Sequence, residues 1–353
     1  MESTRIAIVG GGLSGLYAAR LLQQRGVHDY LLLEARPRWG GRIAAVADGL
    51  DLGPTWYWPD QQAELADLID DLGLKAFPQF DEGDMVVERS AQQPPVRMPG
   101  FSSSPASMRL QGGMANLIDA LHQGLDPQRL RLGQRVCRIV LQGLQLELEI
   151  EATSGEIERL RAEQVLLALP PRLAEASIEF SPALPGRLAR RWRDTPTWMA
   201  PHAKYLAVYD RPFWREQGLS GEARSAHGPL AEIHDASMPE GSAALFGFLG
   251  VPAQLRRTLA DEQLRLHCRA QLARLFGPEA ASPRFDQIKD WATESLTSTE
   301  ADAVTAGHAP WVPEPSATEG VWQGRLTGIA SEWSTQFPGY LAGAIDAARY
   351  GVE

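Results

Sequence analysis

The fold of this chain is decided by residues 6–15, which read Ile6-Ala7-Ile8-Val9-Gly10-Gly11-Gly12-Leu13-Ser14-Gly15. The first four residues are apolar, and such a short run is typical of a strand buried on both faces of a parallel sheet. Three of the four glycines that follow, Gly10, Gly12 and Gly15, have the spacing GxGxxG. In this pattern the first glycine permits a tight turn, the second lets backbone approach a pyrophosphate, and the third lets the helix pack closely on the strand.

The residues after the glycines extend this pattern to a complete βαβ unit. Apolar residues at three-residue steps predict a helix that runs to about Arg25, where Gly26 is a stop signal. A second buried strand, residues 30–33, ends at Glu34, nineteen residues after Gly15. A carboxylate at this distance is expected to bind ribose hydroxyls, and it favours FAD or NAD over NADP. The sequence therefore predicts a dinucleotide site.

Length and composition exclude several other classes of protein. The chain has 353 residues, which favours two domains or one large interrupted domain. Its 44% apolar and 22% charged residues are those of a globular protein, and its net charge of −10 argues against nucleic acid as a partner. Cys137 and Cys268 are too few for a disulfide framework or a four-cysteine zinc site, so we expect no metal.

The two ends of the sequence indicate where the protein is found. Residues 1–5 lead directly into the first strand and do not form the basic and apolar regions of a secretory signal. We find no run of 18 apolar residues that would predict a membrane span. We therefore expect a cytoplasmic protein without a membrane partner.

The segment that follows Glu34 carries a family resemblance. Residues 34–42 read Glu-Ala-Arg-Pro-Arg-Trp-Gly-Gly-Arg. This resembles the E-x-R-x-x-G-G-R signature of the flavin-dependent amine oxidase superfamily, the monoamine oxidase and polyamine oxidase group. The resemblance implies a Rossmann-like FAD-binding domain of the GR2 type with an inserted α+β substrate domain, an α/β fold overall. Gly41 would then allow backbone contact with the phosphates, and Arg42 would add charge-assisted donors.

Four later segments are similar to the same family in chain order. Residues 51–56 resemble its D-x-G-x-x-W segment beside the isoalloxazine ring, residues 112–114 its G-G-M segment, and residues 165–171 its strand V-x-x-A-x-P-P. Residues 337–344 resemble its last signature, a helix N-terminus directed at the flavin. Together, the fingerprint and the resemblance imply FAD contacts at Gly10, Gly12, Leu13, Ser14, Gly15, Glu34, Ala35, Arg36, Gly41, Arg42, Gly53, Pro54, Thr55, Trp56, Val136, Glu332, Gly339, Tyr340 and Ala344.

Lys204 and Tyr340 are the predicted catalytic residues. The alternation of side chains along a strand places Lys204 on the same face as aliphatic neighbours. This pattern alone is also typical of a lysine on an edge strand, where its charge discourages aggregation. The resemblance implies that its ammonium holds a water beside flavin N5, and that Tyr340 forms one wall of an aromatic cage. It also implies the reaction: a neutral amine loses a hydride to the flavin, the imine hydrolyses, and O2 reoxidises the flavin to give H2O2.

The sequence departs from the family in residues 291–300. This stretch lacks the cysteine that tethers flavin in monoamine oxidases, so we predict non-covalent FAD, and it lacks the second cage tyrosine. Two alternatives therefore stay open: a flavin-dependent dehydrogenase or desaturase acting on a non-amine substrate, and a flavin-binding accessory subunit without turnover. The glycines and arginine of residues 40–42 argue against an NAD-dependent dehydrogenase.

The domain organisation is predicted to be interrupted. We expect residues 1–60, 105–172 and 318–353 to form the FAD-binding domain. Residues 61–104 and 173–317 are expected to form the substrate-binding domain. Within the latter, residues 61–73 have apolar side chains at helical spacing and predict a helix that covers the substrate-domain sheet. Trp56, Trp58 and Trp198 are candidates to line the pocket.

Overall fold

A computed structural model describes residues 1–304, Gly307, Ala309 and residues 311–353. Its helices are α1 (Leu13–Gln24), α2 (Ala63–Asp71), α3 (Ala115–Gln123), α4 (Pro171–Ser177), α5 (Gly186–Asp194), α6 (Phe213–Glu216), α7 (Ala253–Arg256), α8 (Asp261–Phe276) and α9 (Leu341–Val352). Its strands are β1 (Glu2–Val9), β2 (Tyr30–Leu33), β3 (Ala76–Pro78), β4 (Asp84–Glu88), β5 (Val96–Pro99), β6 (Met108–Leu110), β7 (Leu130–Arg131), β8 (Gln134–Gln142), β9 (Gln145–Ala152), β10 (Ile157–Leu167), β11 (Glu179–Ser181), β12 (Ala203–Tyr209), β13 (Leu219–Ser225), β14 (Leu230–Asp235), β15 (Ala243–Leu249), β16 (Phe285–Asp290) and β17 (Leu326–Gly328).

The first sheet contains the predicted βαβ unit. Its strand order is β11-β8-β9-β10-β1-β2-β7, and β17 pairs with β10. Strand β1 lies between β2 and β10 and is parallel to both, which buries its apolar run as the sequence predicted. The glycine turn follows β1, and α1 begins at Leu13. The structure thus confirms the α/β fold and the strand–glycine turn–helix order.

The second sheet is built from the middle of the chain. Its strand order is β16-β12-β15-β14-β13-β4-β5, and its neighbours are antiparallel except for the parallel pair β13 and β4. Helix α8 covers one face, where Leu264, Leu272 and Phe276 are buried with side chains of β12 and β15. The opposite face of β12 is turned toward residues 50–56.

Helix α2 packs on a different layer from the one predicted. The helix forms within residues 61–73, and Leu65, Leu68 and Ile69 are buried as the helical spacing required. These side chains lie in the same core as apolar residues of α1 and α9, beside the first sheet. The expectation that α2 covers the substrate-domain sheet is therefore wrong. Helical periodicity identifies which face is buried, but it carries no information on which layer receives that face.

An apolar contact joins the second sheet to the segment beside the first. Leu50 and Leu52 pack against Leu206, Val208 and Phe246 of the second sheet. This contact brings β12 next to residues 50–56 and so decides where Lys204 lies. Within the described part of the chain, no helix has the length and apolar character that crossing a membrane requires.

The close packing of α1 on β1 gives the first testable prediction. A Cβ added at Gly15 would lie 2.0 Å from the Gly10 carbonyl oxygen, so Gly15→Ala forces the helix and the turn apart. We expect a loss of about 2 to 3 kcal/mol in the free energy of unfolding, measured by urea denaturation. Gly186→Ala is the matched control, because a Cβ there meets no atom within 4 Å. Equal stability of the two variants would contradict the prediction.

Candidate active site

One cavity of about 440 Å³ joins the glycine turn to strand β12. This volume is in the range of small-molecule and cofactor sites. Most of the predicted site residues line this cavity: Gly10, Gly12, Leu13, Ser14, Glu34, Arg36, Gly41, Arg42, Gly53, Pro54, Thr55, Trp56, Lys204, Gly339, Tyr340 and Ala344. The cavity is thus formed by segments that are far apart in the sequence, as the family resemblance implied.

Four predicted cofactor residues do not line the cavity. Gly15 faces the Gly10 carbonyl and allows the close packing of α1. Ala35 lies between two lining residues, and the side chain of Val136 is buried in the core below the first sheet. Glu332 lies behind Arg42 and contacts the cavity through it. Their assigned FAD contacts stay predictions.

Glu34 is fixed by backbone donors at the cavity wall. Its side chain is buried, and its two carboxylate oxygens accept hydrogen bonds from the Gly11 N–H (2.7 Å) and the Arg36 N–H (2.8 Å). Helix α1 begins beside this carboxylate, and its N-cap residue Gly12 has no side chain to bond the free N–H groups of the first turn. Free N–H groups and the helix dipole favour an anion at this position.

Arg36 connects the nucleotide end of the cavity to the second half of the chain. Its guanidinium donates to Thr297 Oγ1 (2.7 Å), to the Glu294 carboxylate (3.2 Å) and to the Leu296 carbonyl (3.3 Å). Leu296 and Thr297 themselves line the cavity. The stretch 291–300, in which the sequence lacks the family's cysteine, is therefore present at the site and is held there by an arginine.

Arg42 and Glu332, which lie far apart in the sequence, form a bidentate ion pair. The Arg42 guanidinium donates to both carboxylate oxygens of Glu332, at 2.6 and 3.0 Å, and to Ser331 Oγ at 3.0 Å. Such paired bonds fix the orientation of both side chains. The arginine of the second signature is thus held in place by a residue 290 positions later.

Lys204 is buried at the far end of the cavity. Its ammonium donates to the Asp51 carbonyl (3.1 Å), the Gly53 carbonyl (2.9 Å) and Thr55 Oγ1 (2.6 Å), and it lies 4.0 Å from the centre of the Phe246 ring. Burial lowers the pKa of Lys204 to about 7, and the nearby Asp51 carboxylate opposes this shift. The cavity therefore has a cation whose charge depends on its surroundings.

The Asp51 carboxyl lies behind the cavity wall. Its Oδ1 accepts a hydrogen bond from the Met114 N–H at 2.8 Å, and its Oδ2 has no hydrogen-bond partner. Burial raises the pKa of Asp51 to about 6, against the effects of Lys204, the Met114 N–H and Arg109. Asp51 and Lys204 thus form a buried pair of opposite charge, and each affects the protonation of the other.

Aromatic side chains form the wall beside Tyr340. The ring centres of Trp198 and Trp58 lie 4.6 and 6.3 Å from that of Tyr340, and both residues line the cavity. The Trp58 indole N–H donates to Ser107 Oγ at 3.0 Å, which fixes its ring. The prediction that Trp56, Trp58 and Trp198 line the pocket is confirmed. Trp198 and Trp58 thus add aromatic surface beside Tyr340.

His202 lines the cavity, whereas its isolated position in the sequence favoured a structural or solvent-facing histidine. Its ring lines the cavity two residues before Lys204, its Nδ1 is buried without a partner, and burial lowers its pKa. The neighbouring Met199 has a φ of 63°, a left-handed conformation that is uncommon for a side chain of this size. The alternation that placed Lys204 on its face also places His202 there, and this signal was available in the sequence.

Comparisons with known proteins agree with this geometry. A family model described as flavin containing amine oxidoreductase matches residues 13–99 and 89–352. The chain belongs to this family, and it is a flavin-dependent oxidoreductase of the amine oxidase type.

The relatives include oxidases of several amines. A probable flavin-containing monoamine oxidase A of Dictyostelium discoideum is 26% identical, covering 83% of this chain and 84% of its own. Putrescine oxidase of Kocuria rosea is also 26% identical, over 83% of each chain. A solved structure of putrescine oxidase bound to putrescine superposes with a TM-score of 0.82 at 22% identity, over 99% of this chain and 98% of that one. The structure of cyclohexylamine oxidase from Brevibacterium oxydans IH-35A superposes with a TM-score of 0.79 at 19% identity, over 99% of this chain and 98% of that one. These two structures therefore show that the fold is shared.

The donor set of the cavity fits FAD. An uncapped helix N-terminus suits a pyrophosphate, and a fixed carboxylate suits ribose hydroxyls. Gly12 leaves open space, since an added Cβ would meet no atom closer than 3.9 Å. The remaining lining is largely apolar and aromatic, as a planar ring system requires. The pyrophosphate, a ribose and the planar ring system of a flavin dinucleotide therefore each have matching residues in this chain.

Glu34 gives the second testable prediction. In Glu34→Gln one oxygen becomes an NH2 group that faces either the Gly11 or the Arg36 N–H, so one of the two hydrogen bonds is lost. We expect the free energy of unfolding to fall by about 1 to 3 kcal/mol, measured by chemical denaturation, and FAD to bind more weakly. Glu64→Gln is the control, because Glu64 is exposed. Unchanged stability and affinity in Glu34→Gln would contradict this role.

Proposed function

We propose that this chain binds FAD without a covalent bond and oxidises an apolar amine, with O2 as the electron acceptor. The observation that carries the proposal is the single cavity in which the glycine turn, Glu34, Lys204 and Tyr340 meet. Bound FAD supplies the oxidising chemistry, because its ring system accepts a hydride from the carbon beside an amine nitrogen and passes the electrons to O2. The chain supplies binding, orientation and local charge.

The residues at the nucleotide end have binding roles. The first turn of α1 offers free N–H groups for the phosphates, and Glu34 is oriented by Gly11 and Arg36 for the ribose. Arg42, held by Glu332, adds positive charge at the same wall. The ion pairs of Arg36 and Arg42 fix the orientation of these side chains at the nucleotide end before a ligand binds.

The residues at the other end have roles in the reaction. Tyr340 and Trp198 present aromatic faces on which an amine can be placed, and they keep water away from it. Lys204 supplies a positive charge in a buried position, where charge acts strongly on neighbouring groups. A cation there favours the steps in which negative charge develops on oxygen.

The charges that line the cavity support a particular class of amine. Among the described lining residues the charged side chains are Glu34, Arg36, Arg42 and Lys204, and each already has hydrogen-bond or ion-pair partners. Among the described lining residues, no acid remains at the aromatic end to pair with the second ammonium of a diamine, and no arginine remains there for the carboxylate of an amino acid. Burying such a charge without a partner is costly. We therefore propose a monoamine with an apolar body.

We also propose the interrupted domain division stated from the sequence. All strands of the second sheet fall within residues 61–104 and 173–317. The strands of the first sheet fall within residues 1–60, 105–172 and 318–353, except β11. The packing of α2 on the first-sheet core suggests that the boundary near residue 60 is better placed after this helix.

Anaerobic mixing with matched amines tests the function. The pairs are pentylamine with putrescine, which differ by one ammonium, and phenethylamine with L-phenylalanine, which differ by one carboxylate. We expect the two monoamines to bleach flavin absorbance, with second-order rate constants of flavin reduction on the order of 100-fold higher than those of their charged partners. Efficient reduction by putrescine or phenylalanine would contradict the substrate class. No bleaching by any amine, with FAD bound, would favour the alternative dehydrogenase of a non-amine substrate.

Acid precipitation tests the mode of FAD binding. Of the two cysteines in the chain, Cys137 lies on β8 and Cys268 is buried in α8, and neither lines the cavity. We therefore expect the yellow chromophore to stay in the supernatant when the purified holoenzyme is precipitated with acid, measured by absorbance of both fractions. Colour in the washed pellet would show a covalent bond and contradict the proposal.

A further inference from the structure

Two aromatic rings are in direct contact at the aromatic end of the cavity. The ring centres of Trp198 and Tyr340 lie 4.6 Å apart, with an angle of 43° between the ring planes, and both residues line the cavity. Carbon atoms in contact lie about 3.5 to 4.0 Å apart, so a substrate atom held between two ring faces requires a separation of about 7 Å. An amine therefore has to lie beside this pair of rings and not between them.

We propose that Trp198 is a specificity-determining residue, whose ring fills the space over one face of Tyr340 and restricts the substrate to slender monoamines. A slender monoamine is one whose apolar body is a single alkyl chain or a single flat ring. That the ligand is an amine substrate rests on the proposed function, whereas the limit on ligand size does not depend on oxidation. A monoamine that carries a second ring beside the first is excluded by the indole of Trp198.

Trp198 lies in a turn that contains no helix or strand, residues 197–201, which we call the tryptophan turn. Within it the Ala200 N–H donates to the Thr197 carbonyl at 3.1 Å. The residue after the tryptophan, Met199, has a φ of 63°. This left-handed conformation costs free energy and persists only where the surrounding structure holds it. The tryptophan turn therefore depends on contacts with other parts of the chain.

A buried ion pair holds the first residue of the tryptophan turn. The Thr197 N–H donates to Asp302 Oδ1 at 2.9 Å, and the Arg172 guanidinium donates to the same oxygen at 2.7 Å. The other oxygen, Oδ2, accepts hydrogen bonds from the Thr299 N–H and hydroxyl, both at 2.9 Å. The Asp302 side chain is 0% exposed, so these charge-assisted bonds are shielded from water. Asp302 thus fixes the position of the Thr197 N–H.

A second buried ion pair holds the last residue of the tryptophan turn. The Arg256 guanidinium donates to the Pro201 carbonyl at 2.7 Å and to the two carboxylate oxygens of Asp290 at 2.6 and 2.7 Å. Its donors lie in one rigid plane, so the bonds to Asp290 also orient the donor that binds Pro201. Because both ends of the turn are held, the ring of Trp198 is a fixed part of the cavity wall.

Two amines that differ by one ring test the size limit. β-Phenylphenethylamine is phenethylamine with a second phenyl ring on the carbon that bears the first, and both have the same oxidisable carbon. In the wild type we expect phenethylamine to reduce the flavin about 100-fold faster, measured by anaerobic stopped flow. In Trp198→Ala we expect this ratio to fall by about 10-fold or more, because the space of the indole becomes free, and in Trp198→Phe by less. Trp311→Ala is the matched control, since Trp311 is exposed and is not among the described residues that line the cavity.

Calorimetric binding of the corresponding alcohols separates the size limit from the proposed function. Phenethyl alcohol and β-phenylphenethyl alcohol have the shapes of the two amines but lack the nitrogen. We expect Trp198→Ala to bring their dissociation constants about 10-fold closer together in the holoenzyme. An unchanged ratio would show that Trp198 does not limit ligand size, and the inference would be wrong. A changed ratio without flavin reduction by any amine would support the size limit and contradict the proposed function. If Trp198→Ala does not fold, Trp198→Phe decides by the same ratio.

Arg256→Lys tests whether the tryptophan turn holds the ring in place. A lysine keeps the positive charge beside Asp290, but its ammonium does not reproduce the planar set of bonds to Asp290 and Pro201. We expect the ratio of the two alcohol dissociation constants to fall by about 3-fold, less than in Trp198→Ala. A general loss of stability would weaken both alcohols equally and leave the ratio unchanged. Arg257→Lys is the control because Arg257 is exposed. An unchanged ratio in Arg256→Lys would contradict the positioning role of this ion pair.

Discussion

The close approach of backbone to backbone at the glycine turn is the constraint on which the remaining structure depends. Gly10 has a φ of 110°, and Gly15 faces its carbonyl at a distance that admits no Cβ. Because α1 packs so closely on β1, its first turn points along the cavity and Glu34 on the next strand stands beside it. The helix dipole, the carboxylate and the two arginine pairs are useful only in this geometry. A larger residue at either glycine would displace them all together.

Much of the fold and the nucleotide end of the site could be predicted from the sequence because their signals are local. The apolar run, the glycine spacing and Glu34 lie within 29 consecutive residues, and the structure has β1, α1 and β2 there. The layer on which α2 packs was mispredicted, because amphipathic spacing specifies a buried face and not its partner. The pairing of Arg36 with Glu294 could not be predicted for a similar reason, because no periodic pattern in the sequence relates residues 258 positions apart.

The aromatic end of the site illustrates the same limit. Residues 291–300 lack the family's tyrosine, so the sequence predicted an aromatic cage with one of its two walls missing. The structure places Trp198 and Trp58 beside Tyr340, so the aromatic surface is supplied by other segments of the chain. A missing residue type therefore does not imply a missing surface when another loop reaches the same space. His202 was not assigned to the site because a histidine outside any motif is more often structural, although strand alternation places it on the same face as Lys204.

The Arg42–Glu332 pair has a consequence for the nascent protein on the ribosome. The second signature is translated early, but the partners of its arginine, Ser331 and Glu332, are translated about 290 residues later. Gly339, Tyr340 and Ala344, which complete the cavity, follow after them. A chain that has emerged only as far as α8 possesses the fingerprint without an enclosed site. Tight capture of the flavin is therefore an event that follows synthesis of this C-terminal region, whose helix α9 also completes the core around α1 and α2.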